Sequence, residues 1–340
     1  MEKVNQTTGR NAALDTWKLF LAVTIAVLHT RYAAKLGYLA VDSFFILNGL
    51  MFSRYACEGK EFNWKLQTAR RLKAVWIPYA LISTLGTAME FLFWKSKMLL
   101  VQYLPGLLFM SAFNRSGTPR SLGPLWYVPV YLLMFLIFSL LLSHGGKDLL
   151  DGAAVLFAAF SFLAIVAKSE SGGWNYSWEL GRFGFMPIGV LRGFMGFSLG
   201  YCLGRASETT LIQRLMQNTG WATLLQAAAL IICIGVMWFA PVSYIYDAPY
   251  LVASLLLIGT LWARAGVAYH IFSKVPACLT KHSEAVYFCH FFVLAIFLKV
   301  MGDYPQSGFE LLLYLIGVAA AAAMFQKITE RLQRMTLIVK

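Results

Sequence analysis

The chain has 340 residues, of which 59% are apolar and only 13% charged, and its mean hydropathy is +0.63. A soluble globular chain carries roughly a quarter charged residues, so this composition excludes a soluble enzyme, a disordered tail and a disulfide scaffold. The balance is basic, 29 Lys+Arg against 16 Asp+Glu, and the distribution of those charges decides between nucleic acid and a membrane surface.

The first apolar run, Leu19 to Leu28, follows Lys3 and Arg10 as a signal peptide would. No small-residue cleavage site closes it, and His29, Thr30 and Arg31 follow directly, so it reads as an uncleaved first membrane helix. With roughly 20 residues per crossing, hydropathy predicts segments near 14–31, 39–56, 74–94, 124–143, 152–167, 184–204, 220–240, 248–263, 283–300 and 309–326. The expected fold is all-α, a polytopic membrane bundle of about ten helices. It forms one domain over 1–340 with its core at 10–326 and no soluble domain. The stretch 95–123, interrupted by Pro105 and Gly106, reads as a re-entrant or interfacial segment.

Ten crossings put both termini on one side. That side would carry about 17 of the basic residues, against about nine opposite, which predicts cytoplasmic termini and a multi-pass protein. The net charge is then a topology signal, and nucleic acid is not an expected partner. Cys57, Cys202, Cys233, Cys278 and Cys289 have no ligand spacing and read as small apolar residues, so no metal site is expected. Ala319–Ala323 reads as a close-packing patch.

Ionisable groups inside membrane segments are costly and mark function by default. Asp15 and Lys18, three apart, can pair. Lys18 and His29 are eleven apart, on one face and roughly 16 Å apart along the axis, with Ala22 and Ala26 between them leaving room for a thin ligand. Snorkelling of Asp15 and Lys18 at the interface is the plainer alternative. In the second segment, Asp42 and Asn48 lie within Val41–Leu50, where by composition alone a helix cap at Asp42 or Ser43 and a packing contact at Gly49 account for them best. Lys65, Arg70, Arg71 and Lys73 precede Pro78. The cluster suits a phosphate group or lipid headgroups, or serves as topology signal alone. Trp126 and Tyr127 sit where belt aromatics occur. Arg192 falls near mid-membrane with no partner in its own helix, and His290 follows Tyr287 by three residues, as a hydrogen-bonded core histidine would.

Taken in order, these pieces resemble the membrane acyltransferase-3 family. The carriers are Leu14-Asp15, Lys18 and His29; Val41–Leu50, similar to an Asp-x-Phe-Phe-x-x-Ser-Gly segment with Asn48 in the serine's place; and Arg70-Arg71-Leu72-Lys73 before Pro78-Tyr79, similar to an Arg-x-x-Arg loop with Lys73 as its second member. Leu125-Trp126-Tyr127, Arg192 with Gly200-Tyr201-Cys202-Leu203-Gly204, and Ser283, Tyr287 and His290 extend the likeness from about residue 10 to about 300.

The resemblance implies a bacterial cytoplasmic-membrane enzyme. Its acyl-CoA donor, acetyl-CoA by analogy, would be cytoplasmic, and its acceptor a glycan or lipid-linked sugar. The donor's phosphates would sit on Lys65, Arg70, Arg71 and Lys73, and its pantetheine arm would thread from Lys18 to His29. His29 would be the general base or carry the acyl group, with Lys18 and Asp15 holding the channel. Asn48, Trp126 or Tyr127 would serve the oxyanion, and Asp42, Arg192 and His290 complete the candidates. A proton-coupled transporter and a scaffold that keeps the fold without catalysis are the rival classes.

Overall fold

The computed structural model describes residues 10–57, 62–94, 103–104, 106–109, 120–168, 182–184, 186–210, 212–213, 218–241 and 243–338. Eleven α-helices among them are α1 (Ala12–His29), α2 (Ala40–Cys57), α3 (Trp64–Trp94), α4 (Tyr127–Lys168), α5 (Ile188–Ala206), α6 (Thr219–Ile234), α7 (Asp247–Trp262), α8 (Gly266–Phe272), α9 (Ala277–Thr280), α10 (Ser283–Met301) and α11 (Gly308–Ile338). Two residue pairs form a small antiparallel hairpin, Arg182 opposite Pro187 and Phe183 opposite Met186.

All ten hydropathy segments fall on these helices. The expected spans 124–143 and 152–167 lie in α4, which breaks at Gly146 (φ 68°, ψ −169°), a backbone region open mainly to glycine. Most of the 95–123 stretch lies outside the described residues. Residues 103–104 and 106–109 lie against α3, where Tyr79 Oη donates to the Gly106 carbonyl (3.0 Å) and its ring packs on Phe109.

Among the described residues, six helical stretches are long and apolar enough to cross a membrane. A seventh is added when α7 and α8, bent by 70° at their junction, count as one span. They expose large apolar side chains to their surroundings, among them Leu156, Phe160 and Leu163 on α4, Leu224 and Ile231 on α6, and Phe309, Leu312 and Ile316 on α11. A water-facing surface does not carry such a belt, and the chain is a multi-pass membrane protein. The count is below ten partly because α4 scores as one stretch, and partly because α2 and α5 fall short of the required apolarity. The physical reason is their place inside the bundle, where their sides meet protein.

The α2–α5 seam shows how two polar helices fit there. Gly196, Gly200 and Gly204 repeat at four-residue spacing on α5 and present bare backbone to α2. A Cβ at Gly200 would stand 1.9 Å from the Ile46 carbonyl oxygen, and one at Gly49 the same 1.9 Å from that of Phe197. Within the seam Arg192 holds Asp42 with two hydrogen bonds, Nε to Oδ1 at 3.0 Å and Nη2 to Oδ2 at 2.8 Å, and both residues are buried. Arg192 Nη2 also donates to the Tyr38 carbonyl (3.3 Å), while Tyr38 Oη donates to Asp247 Oδ1 (2.8 Å). Beyond it Ser43 bonds Tyr250 Oη and Ser254 Oγ on α7, each at 2.6 Å. The mid-membrane arginine that lacked a partner in its own helix thus finds one on α2.

The ends of the bundle follow from terminal contacts. Asn11 caps α1 through the Leu14 N–H and donates to the Leu261 carbonyl at the end of α7 (2.9 Å). Arg54, late in α2, lies over the ring of Trp262, and Arg205, late in α5, reaches Cys57 and Asp151. Arg10 Nη2 donates to Thr280, just before α10. One end therefore gathers the starts of α1 and α10, the ends of α2, α5 and α7, and many basic side chains.

Two stability tests follow. Gly200→Ala must push α2 and α5 apart and is expected to lower the unfolding midpoint in detergent by several degrees. Gly152→Ala, where an added Cβ meets nothing within 4 Å, should leave it unchanged or raise it, since Ala in a helix is better than Gly by roughly 0.5–1 kcal/mol. Arg192→Met leaves Asp42 buried without its cation and should cost about 3–5 kcal/mol. Adding Asp42→Leu to it should recover most of that loss, and a double variant no more stable than Arg192→Met would show that the pair is not the coupling element.

Candidate active site

α1 ends at His29 because the chain turns there. Thr30 bonds back to Val27 through its N–H (3.0 Å) and its hydroxyl (2.6 Å), and Arg31 takes a left-handed conformation (φ 62°). The His29 imidazole lies 5.2 Å from that of His290, centroid to centroid, with the rings 24° from parallel, and the Phe291 ring meets His29 edge-on at 5.1 Å. His290 is fully buried on α10. Tyr314 of α11 bridges the two helices, since its hydroxyl lies 3.0 Å from the His290 carbonyl and 3.4 Å from that of Ala26. Ala26 is one turn before His29, so this hydroxyl sets the register of one imidazole against the other.

From the histidines a line of aromatic rings runs inward. Tyr287 lies 5.8 Å from His290 and 5.8 Å from Tyr127, and Phe44 packs on both tyrosines. Tyr287 Oη donates to the Pro124 carbonyl, which ties the turn ahead of α4 to α10. The Asn48 amide donates to the Phe44 carbonyl (2.8 Å) and to Tyr127 Oη. Both amide hydrogens are engaged there, and Tyr127 receives one of them, which leaves the tyrosine's own hydroxyl hydrogen to donate. Of the expected oxyanion donors, Tyr127 is the one with a hydroxyl hydrogen left to give, and Asn48 is its hydrogen-bond partner. Trp126 faces another way, 6.2 Å from Phe45 and under the Arg192 guanidinium at 5.8 Å.

The remaining candidates divide between the two ends and the seam. Asp15 pairs with Lys18 (3.6 Å) and with Arg10 at the start of α1, about three turns below His29. Ala22 and Ala26 are fully buried, so the face between Lys18 and His29 is filled with protein and holds no open passage. Asp42 and Arg192 belong to the seam. The four basic residues before Pro78 do not share one face: Lys65 and Arg70 are exposed and Lys73 is half-buried, while Arg71 turns into the bundle. Its guanidinium carbon lies 5.4 Å from the Tyr131 ring and 5.7 Å from that of Phe135. One residue along a helix is a 100° rotation, which carries Arg71 inward and leaves Arg70 outside.

Lys65 borders a cavity of about 630 Å³ between the end of α2, the start of α3 and the break in α4. Tyr55, Phe62, Trp64, Ser143 and Lys147 also line it. Two cations beside three aromatic rings suit a ligand that carries phosphate on a flat heterocycle. Chain order gave no sign of Lys147, because the Gly146 turn is what swings it toward Lys65. No group of three or more metal-ligating side chains occurs among the described residues.

A family model described as an acyltransferase domain, that of the acyltransferase-3 family, matches residues 11–325. No curated protein and no solved structure matches the chain. The matched range takes in every helix from α1 through most of α11, together with the histidine cluster, the seam and the basic end, and the chain belongs to the acyltransferase-3 family of membrane acyltransferases.

Proposed function

We propose that the protein transfers an acyl group, acetyl in the simplest case, from cytoplasmic acyl-CoA to a hydroxyl of an envelope glycan or lipid-linked sugar. The observation that supports this reading is the run of contacts from His29 through the buried His290, Tyr287 and Tyr127 to Asn48, a candidate base and a candidate hydroxyl donor in one cluster of a chain of this family. His29 takes the proton of the acceptor hydroxyl as its oxygen attacks the thioester carbonyl. Tyr127 donates to the developing oxyanion. The C–S bond then breaks as the ester forms, and the proton on His29 passes to the leaving thiolate of coenzyme A.

The basic end is the donor's end in this proposal, cytoplasmic by the bias of Lys and Arg, with ten crossings and both termini on that side of a bacterial cytoplasmic membrane. Lys65 and Lys147 take the phosphates in the cavity, the aromatic rings take the heterocycle, and Arg70 and Lys73 add to the field at its mouth. Because the face through Ala22 and Ala26 is filled, the pantetheine arm runs instead beside Arg71, along the α10 stripe of Glu284, Tyr287 and His290. Asp15 pairs with Lys18 and with Arg10, whose bond to Thr280 anchors the start of α1 against α9.

Purified protein in nanodiscs, given radiolabelled acetyl-CoA and envelope glycan, tests the reading. His29→Ala should lose turnover by about 10²–10⁴-fold, the range for removal of a general base, while coenzyme A still binds. Full turnover in that variant removes His29 from the chemistry. Replacing Lys65 and Lys147 together with Gln should weaken coenzyme A binding at least tenfold by calorimetry and steepen no other defect. Unchanged affinity moves the donor site elsewhere. Mass spectrometry of envelope glycans with and without the protein identifies the acceptor by a lost acyl increment.

A further inference from the structure

Tyr131 of α4 is 5% exposed, and its hydroxyl finds no hydrogen-bond partner among the described residues. Native proteins rarely bury a hydroxyl unmatched, and an orphan beside a candidate site points to a ligand group that completes it. The side chains around it show why the protein itself does not. The Arg71 guanidinium carbon lies 5.4 Å from the Tyr131 ring, but an arginine only donates, so the hydroxyl hydrogen still lacks an acceptor. Glu284 of α10 acts on both groups through its charge, yet it is exposed and makes no hydrogen bond to Tyr131. To reach that hydroxyl the carboxylate would have to bury its charge among aromatic rings, which is costly. Tyr127 and Phe135 meet Tyr131 as rings.

Position gives the missing acceptor its identity. Tyr131 follows Tyr127 by four residues, and their rings stack at 6.1 Å, 10° from parallel. The two hydroxyls therefore ride one turn apart, about 6 Å along the axis. Each has a hydrogen to give, since Tyr127 receives the Asn48 amide and Tyr131 has no acceptor. Toward the basic end Tyr131 meets Phe135, and Phe135 meets Tyr55, which lines the cavity beside Lys65. Tyr131 thus stands between that cavity and the histidine cluster. In acetyl-CoA a sulfur, two methylenes and a nitrogen separate the thioester carbonyl from the first amide carbonyl of the arm, which when extended is also about 6 Å.

We infer that Tyr131 recognises the arm of a pantetheine thioester: its hydroxyl donates to the carbonyl of the first amide while Tyr127, one turn nearer the histidines, faces the thioester carbonyl. An amide carbonyl in an apolar interior needs a donor as much as the buried hydroxyl needs an acceptor, so each completes the other once the donor is bound. The contact binds and sets register, and no bond forms or breaks at Tyr131. It favours donors with an amide at that distance from the thioester over thioesters of plain alkyl chains. Arg71, half-buried over the ring, is the long side chain whose movement admits the arm.

This inference rests on acyl-CoA as the donor, and the experiment separates the two. Wild type and Tyr131→Phe in nanodiscs are titrated by calorimetry with coenzyme A and with 3′-phosphoadenosine 5′-diphosphate, which has the donor's head without its arm. KM and kcat for acetyl-CoA and the unfolding midpoint of the ligand-free protein are measured alongside. The expected result is about fivefold weaker binding of coenzyme A and a matching rise in KM, the size of one hydrogen bond, with kcat within about threefold and the affinity for the head unchanged. The ligand-free midpoint should hold or rise, because Phe removes a buried hydroxyl that has no partner. Unchanged coenzyme A affinity overturns the inference. An equal loss for coenzyme A and for the head, or a midpoint that falls with the affinity, also overturns it, since either marks a structural role. Should the head alone bind too weakly to measure, KM and the midpoint decide together. A wild type that neither binds coenzyme A nor takes acetyl from acetyl-CoA overturns the parent reading, and this inference falls with it.

Discussion

Contact between α2 and α5 without intervening side chains governs the interior of this protein. Glycines at 49 and 200 let the two backbones approach to where a methyl group would collide with a carbonyl oxygen, and those at 196 and 204 make room for Phe45 and Ser53. At that separation the Asp42–Arg192 pair closes with two charge-assisted bonds and stacks between Tyr38 and Trp126. The pair fixes the register of the seam, and the seam fixes everything that α2 carries on its other sides. Ser43 then meets Tyr250 and Ser254, and Phe44 and Asn48 turn toward Tyr127 and Tyr287. A buried ion pair contributes little net stability compared with apolar packing. Its value here is geometric, because a slip of one helical turn would strand both charges.

Several of these features were legible in the residues themselves. Each apolar segment became helix because hydropathy at membrane-span length has few other solutions. Asp15 and Lys18 pair as their spacing requires, and Arg192 found a polar partner as its depth demanded. The glycine spacing on α5 was also present in the chain, but it has meaning only once a second helix is known to face it. The histidine contact was beyond sequence reasoning, since His29 and His290 come from opposite ends of the chain and only helix packing brings them together. The basic run before Pro78 could not be apportioned from the residues alone: helical rotation sends Arg71 inward and leaves Arg70 out. The filled face between Lys18 and His29 shows the same limit. Small residues at 22 and 26 leave space along one helix, and neighbouring helices take it.

The site joins two demands that oppose each other in water-soluble enzymes. The two imidazoles lie beside Phe291 and Tyr287, where charge is poorly tolerated, while the opposite end is rich in cations. An amphiphilic donor with a charged head and a thin, nearly neutral arm matches that gradient. In the proposed scheme its head would sit among the lysines near the Gly146 turn and its arm in the aromatic interior.

The α2–α5 seam has a consequence for biogenesis. Neither helix has the apolarity of a crossing segment, and Asp42 and Arg192 are 150 residues apart in the chain. At typical synthesis rates of roughly 5–20 residues per second, Asp42 waits about 8–30 s for its arginine. During that interval α2 cannot rest in lipid as a finished span. It must be sheltered by the insertion machinery, by α1, or at the membrane surface until α5 emerges. The acidic residue therefore acts as a checkpoint in time: α2 settles only when α5 has been made, and a chain truncated before Arg192 should be recognised by membrane quality control as unfinished.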